Sequence, residues 1–124
     1  MADDKPTLEH ARALQLEGKL ERAATVYAAL LAADPEREDA ARGLAQCAEQ
    51  LGQWTRAVEA YDRLALLRPG RPEVHTARGE CLRQAGCFSA AVEAYGQALA
   101  PPADGGEGRL YALSGRGECL RMLG

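Results

Sequence analysis

The side chains of this sequence best suited to covalent or metal chemistry are four cysteines, two histidines and the serines at 89 and 114. Tetrahedral zinc needs four ligands around one ion, commonly supplied in close pairs such as Cys-x-x-Cys. Cys81 and Cys87 are separated by five residues, and no closer pair exists. Cys47, Cys81 and Cys119 are widely and almost evenly spaced, with the second interval slightly longer than the first. That spacing puts the three on equivalent helices about 10 Å apart in a stacked array. A disulfide spans roughly 7 Å between Cα atoms at most, so the three read as small packing residues. His10 and His75 are isolated and belong to no His-Glu-x-x-His set. Neither Ser89 nor Ser114 sits in a Gly-x-Ser-x-Gly elbow. The cluster Gly105-Gly106-Glu107-Gly108 lacks the Lys-Ser/Thr that completes a phosphate loop. No nucleophile, base and orienting group converge. The sequence predicts no catalytic residue, no cofactor and no metal site.

The charged residues are spread differently. Residues 1–40 carry nine acids against five Lys/Arg, and residues 41–124 carry nine acids against ten Arg. The overall charge of −3 has no basic stripe, which argues against nucleic-acid binding. The start, Met1-Ala2-Asp3-Asp4-Lys5, lacks the positive leader and apolar stretch of a signal peptide. No apolar run approaches the roughly 18 residues of a membrane helix. The expectation is a cytoplasmic chain with free thiols and no membrane partner.

The elements that hold these side chains follow from an internal repeat. Gly18, Gly52 and Gly86 are evenly spaced, and Ala23, Ala57 and Ala91 keep the same interval, as do Tyr27, Tyr61 and Tyr95. Pro35 and Pro69 keep it too. The run Arg78-Gly79-Glu80-Cys81-Leu82-Arg83 recurs as Arg116-Gly117-Glu118-Cys119-Leu120-Arg121 after a slightly longer interval. The extra residues fall in a Pro- and Gly-rich stretch from Ala100 to Gly108, which reads as a lengthened loop. Within each period, apolar residues recur at three- and four-residue spacing on either side of the glycine. Glycine suits the position just past a helix end, where the backbone is left-handed. Asp34-Pro35 and Arg68-Pro69 close the second stretch, because proline cannot continue a helix. The spacing predicts helices over 6–17, 20–33, 37–51, 54–67, 72–85, 88–100 and 109–123. Abundant Ala and scarce aromatics (5% of residues) favour helix over sheet.

In these residues the chain resembles the tetratricopeptide repeat, a helix-turn-helix unit of about 34 residues. Counting Glu38 as position 1, Leu44, Ala45, Ala57, Tyr61 and Pro69 stand where the family pattern has its large, small, small, aromatic and proline residues. In the next repeat Gly79, Leu82, Ala91, Tyr95 and Ala98 fit the family's small, large, small, aromatic and small positions, with Pro101 and Pro102 one or two residues early for the closing proline, and Gly18, Ala23, Tyr27, Asp34 and Pro35 fit the pattern in the first. Ala41 stands where the family prefers Trp, and Leu64 where it prefers Ala. The resemblance implies an all-α fold, an α-solenoid of about three and a half repeats in a right-handed superhelix. It spans residues 1–124 as a single array, with repeats near 4–37, 38–71 and 72–105 and the first helix of a fourth at 109–123. The small residues would sit at helix crossings, and the tyrosines would fill the space between one repeat and the next.

The resemblance also implies that the first helix of each hairpin lines a concave groove that binds a partner. The residues it assigns there are Arg12, Asp39, Arg42, Gln46, Glu49, Glu73, Thr76, Glu80, Arg83, Ser114, Glu118 and Arg121. Glu80 with Arg83, and Glu118 with Arg121, are three apart on one helix and can form local ion pairs. Alternatively, the arginines can bind carboxylates of a partner segment. Chaperone-binding members of the family hold a C-terminal carboxylate with Lys and Asn at set positions. Leu8, Arg12, Gly43, Glu73 and Ala77 stand at those positions here, so that clamp is absent.

The expected function is a protein-interaction scaffold gripping a partner protein or peptide segment, without catalysis and without nucleic acid. Two alternatives stand beside it. The chain is an accessory region of a larger enzyme or sensor that continues beyond residue 124, or it self-associates through its last helix; its expected state is a monomer or a weak self-associate through that helix.

Overall fold

The computed structural model describes residues 6–100 and 107–124. Those residues form seven α-helices: α1 (Leu8–Leu16), α2 (Leu20–Ala33), α3 (Glu38–Gln50), α4 (Trp54–Leu67), α5 (Pro72–Gln84), α6 (Phe88–Leu99) and α7 (Glu107–Leu123). No strand occurs among them. The fold is an all-α helical repeat.

Local chemistry sets the boundaries. Thr7 is extended and its side chain accepts the His10 N–H at 3.1 Å, so α1 starts at Leu8, two residues later than periodicity suggests. Gly18, Gly52 and Gly86 have φ of +81°, +73° and +83°. At each, the residue after the glycine donates back to a carbonyl five residues earlier. These bonds run from Lys19 to Leu14, from Gln53 to Ala48 and from Cys87 to Leu82, at 2.8–2.9 Å. The glycine N–H meanwhile bonds the carbonyl three residues before it. This double bond is the Schellman closure. It lets each hairpin turn within three residues. Asp34 and Ala100 are extended at the ends of α2 and α6, each directly before a proline. α7 begins at Glu107, two residues before the expected start. The rest of the Pro/Gly-rich insert, 101–106, lies outside the described residues, as do residues 1–5 at the start of the first repeat.

The helices fall into two compact units, Met1–Leu67 and Arg68–Gly124. The first holds α1–α4. Its core is built from small residues: Ala11, Ala23, Ala24, Ala40, Ala41, Ala45, Cys47, Ala48 and Ala57 are completely buried. Larger Leu14, Tyr27, Leu30 and Leu44 fill the remaining space. The second unit holds α5–α7 around Ala91, Tyr95, Ala98, Ala112 and Cys119, with Leu82, Phe88, Val92 and Leu99 packed against them. Small residues let helix axes come within the short end of roughly 8–10 Å.

The tyrosines join successive hairpins within each unit. Tyr27 on α2 lies flat against Gly43 on α3, where an added Cβ would fall 2.3 Å from the ring. Tyr95 on α6 is seated between Gly79 on α5 and Gly115 on α7, with corresponding distances of 3.0 and 2.4 Å. The hydroxyls of Tyr27, Tyr61 and Tyr95 each donate to the first helix of their own hairpin. Tyr27 reaches Gln15 at 2.8 Å, Tyr61 reaches Glu49 at 2.7 Å and Tyr95 reaches Glu80 at 2.9 Å.

Candidate functional site

In the first unit, α1, α3 and the turn before α3 enclose a polar cleft of about 600 Å³. Arg12 and Gln15 come from α1, Asp34, Glu36 and Arg37 from the turn, and Glu38, Asp39, Arg42, Gly43 and Gln46 from α3. Tyr27 reaches it from α2. The turn is shaped by Asp34, whose side chain accepts the Glu36 N–H at 3.1 Å. Asp39 then stands in the first turn of α3 and accepts the Ala40 N–H at 2.7 Å and Arg37 Nε at 3.0 Å. The bond from Arg37 is the main cause holding the Asp39 carboxyl below its ordinary pKa. Arg42 pairs with Glu38 one turn back at 3.4 Å. Gln15 Nε2 reaches Gln46 Oε1 at 3.5 Å, joining α1 to α3. Arg12 is exposed and makes no ion pair among the described residues. The cleft thus offers two ion-paired arginines, a pair of side-chain amides, the exposed Arg12 guanidinium and the carboxylates of Asp34 and Glu36.

Four expected site residues, Arg12, Asp39, Arg42 and Gln46, meet in this cleft. Glu49 lies further along α3, where it accepts the Tyr61 hydroxyl. Sequence reasoning passes over Arg37 and Glu38, and it treats Gly43 only as a missing asparagine. The available signal is a glycine inside a helix, which weakens the helix unless something needs the space.

In the second unit, the expected residues Glu80, Arg83 and Glu118 form one network. Glu80 is ion-paired with Arg83 and accepts the Tyr95 hydroxyl. Arg83 also reaches Glu118 on α7 at 3.6 Å. Glu118 therefore pairs across helices with Arg83, not with Arg121 as the three-residue spacing suggested; α7 turns it toward α5. Burial, followed by the Glu80 bond, drives the Tyr95 pKa well upward. Hydrogen bonding, first to Tyr95 and then to Glu80, keeps Arg83 firmly protonated. Thr76 donates to the Pro72 carbonyl one turn back at 3.1 Å. Glu73, Ser114 and Arg121 are exposed.

The cysteines at 47, 81 and 119 are fully buried thiols outside any disulfide, and Cys87 is exposed. Burial raises the pKa of Cys47 and of Cys119. No group of three or more His, Cys, Asp or Glu among the described residues is placed to hold a metal ion. No described helix is long and apolar enough to cross a membrane.

Glycine-closed hairpins, each with a tyrosine bonded back to its own first helix, define a helical-repeat protein. The chain belongs to the tetratricopeptide repeat family, whose sequence pattern matches residues 14–81. No curated protein matches it in sequence closely enough to count as a relative. Several solved structures share its fold. The Yersinia enterocolitica type III secretion chaperone SycD, in complex with a peptide of the translocator YopD, superposes with a TM-score of 0.78 at 24% identity, over 94% of this chain and 91% of that one. MamA gives 0.78 at 19% identity, over 91% of this chain and 64% of that one. The second such domain of human RPAP3, in complex with an HSP70 peptide, gives 0.73 at 18% identity, over 90% of each chain. At these identities the likeness shows the fold alone.

Proposed function

We propose that this chain is a non-catalytic protein-interaction module that holds a segment of another protein against the first helices of its hairpins. The observation that carries this reading is the polar cleft of the first unit, where Arg12 presents an exposed guanidinium with no ion pair among the described residues beside the Gln15–Gln46 amides. Such a surface suits an extended segment. The amides bond a peptide backbone, and Arg12 takes a side-chain or terminal carboxylate. The peptide complexes of SycD and RPAP3 support the reading, since the same fold holds peptides there. In the second unit, Glu73, Thr76, Glu80, Arg83, Ser114, Glu118 and Arg121 belong to the corresponding helices, and we assign them to partner contact on the same grounds.

The test begins by capturing partners on the immobilised chain and mapping the bound segment as a synthetic peptide. Titration calorimetry then compares the native chain with Arg12→Glu and Arg42→Glu at unchanged helix content. Loss of about tenfold or more in affinity is expected for Arg12→Glu. Equal affinity in both variants would remove the cleft from the reading.

A further inference from the structure

The cleft of the first unit carries its charges in a fixed order. At one end stands the turn between α2 and α3, where Asp34 and Glu36 are both exposed. Asp34 Oδ1 accepts the Glu36 N–H at 3.1 Å, which fixes the turn. Neither carboxylate is ion-paired among the described residues. Arg37, next along the chain, is bound to Asp39 at 3.0 Å, and Arg42 is bound to Glu38 at 3.4 Å. Each of those pairs cancels within itself. The charge left to meet a ligand is the pair of carboxylates on the turn and the Arg12 guanidinium on α1.

Arg12 stands further along. Its charge acts on Asp39, in the first turn of α3, and on the Tyr27 hydroxyl. One turn beyond it on α1, Gln15 accepts from Tyr27 at 2.8 Å and donates through Nε2 to Gln46 Oε1 at 3.5 Å. That chain of donors ends on the exposed Gln46 amide, whose N–H groups are left to face an acceptor. The sequence along the cleft is therefore negative turn, positive Arg12, then amide donors. An acidic segment is repelled at the turn, and a basic one at Arg12. A segment carrying both signs in the matching order is attracted throughout.

We propose that the cleft selects an extended segment of another protein in which a lysine or arginine and a nearby aspartate or glutamate stand in one fixed order. The basic side chain lies against Asp34 and Glu36, the acidic one lies on Arg12, and a backbone carbonyl beyond them accepts from Gln46. The inference rests on the cleft being a partner's seat and adds what that partner must carry. Exposed ion pairs are weak, so each charge should change affinity a few fold and not by orders of magnitude.

Random dodecapeptides displayed on phage are the probe. They are panned on the immobilised full chain, and enriched sequences are synthesised and titrated by calorimetry. Enriched peptides should carry a basic and an acidic residue in one order and at one separation. They should bind about threefold or more tighter than the same peptides with those two residues exchanged. Asp34→Asn combined with Glu36→Gln should remove the contribution of the basic residue and leave that of the acidic one. Asparagine at 34 can still accept the Glu36 N–H, so the turn persists. Arg12→Gln should do the reverse. Glu36→Arg should turn the preference at the first position from basic to acidic, a change that no loss of fold produces. Peptides that bind through Arg12 but ignore both carboxylates overturn the inference and leave the cleft as a partner's seat. Failure to enrich any peptide sensitive to Arg12→Gln overturns both. Peptides that copy a stretch of this chain, with a dimer in sedimentation that Arg12→Gln dissolves, would give the cleft to a second copy and overturn the inference too.

Discussion

The Tyr95 ring on α6 rests on the bare backbone of Gly115 on α7, so close that a methyl group there would lie 2.4 Å from Cζ. Tyr27 and Gly43 make the same arrangement in the first unit, at 2.3 Å. Both tyrosines are buried and hydrogen-bonded to the hairpin behind them, so neither ring can retreat cheaply. Gly43→Ala and Gly115→Ala should each destabilise by about 1–3 kcal/mol through overpacking. Gly117→Ala, in open space on the same helix, should instead stabilise by roughly 0.5–1 kcal/mol, because glycine is a poor helix former. Urea denaturation followed by far-UV circular dichroism measures all three. A Gly115→Ala variant as stable as Gly117→Ala would mean the ring is not held there.

A second prediction separates the ring of Tyr95 from its hydroxyl. Tyr95→Phe keeps the ring over Gly79 and Gly115 but removes the bond to Glu80, which still has Arg83. The cost should be about 0.5–1.5 kcal/mol, the net worth of one ordinary hydrogen bond. Tyr95→Ala also empties the seat at the centre of the second core and should cost about 3–5 kcal/mol. If both variants lose the same stability, the ring contributes little and the hydroxyl network dominates.

The contrast shows what the sequence could and could not reveal. The evenly spaced ladders located the hairpins because each ladder residue answers to its own neighbours. Gly18, Gly52 and Gly86 take the left-handed turn wherever a helix ends. Asp34-Pro35 stops α2 by local sterics. The tyrosines were legible as inter-repeat filling, and Tyr27 and Tyr95 occupy that place. Gly43 and Gly115 were not legible as their seats. A glycine within a helix shows its purpose only when a ring from another helix arrives. The Arg83–Glu118 pair was hidden likewise, since its partners lie on different hairpins and the nearer Arg121 drew the assignment. The Gly-rich run before α7 read as loop to its end, yet Glu107 and Gly108 already belong to the helix. In the cleft, Asp39 and Arg42 could be named from the repeat. Arg37 and Glu38, which neutralise them, lie at the turn where repeat position says least.

His75 on α5 makes stability depend on pH near neutrality. Burial lowers its pKa from the ordinary 6.5, the Arg78 charge acts in the same direction, and a hydrogen bond to the Pro69 backbone opposes both. With the folded value depressed, the unfolded chain binds the proton more readily. The contribution is therefore complete above about pH 6.5 and declines as pH falls through the lower folded value. Thermal melts should show a falling Tm as pH is lowered from 7 toward 5 (about the histidine range). His75→Gln should flatten that part of the curve. A variant with the same slope as the native chain would place the titrating group elsewhere.

The last prediction concerns the four thiols. Cys47, Cys81 and Cys119 are completely buried, whereas Cys87 caps the start of α6 in the open. Burial also raises the pKa of Cys47 and Cys119, so little thiolate forms even where reagent penetrates. An aromatic disulfide reagent should therefore modify one thiol per native chain rapidly and the other three only as the chain opens. Adding denaturant should bring the count to four, and Cys87→Ser should abolish the fast phase. The slow phase then reports local opening of each unit. Gly43→Ala should speed labelling of Cys47 more than that of Cys119, and Gly115→Ala the reverse. Equal acceleration of both cysteines by either variant would mean that the two units open together.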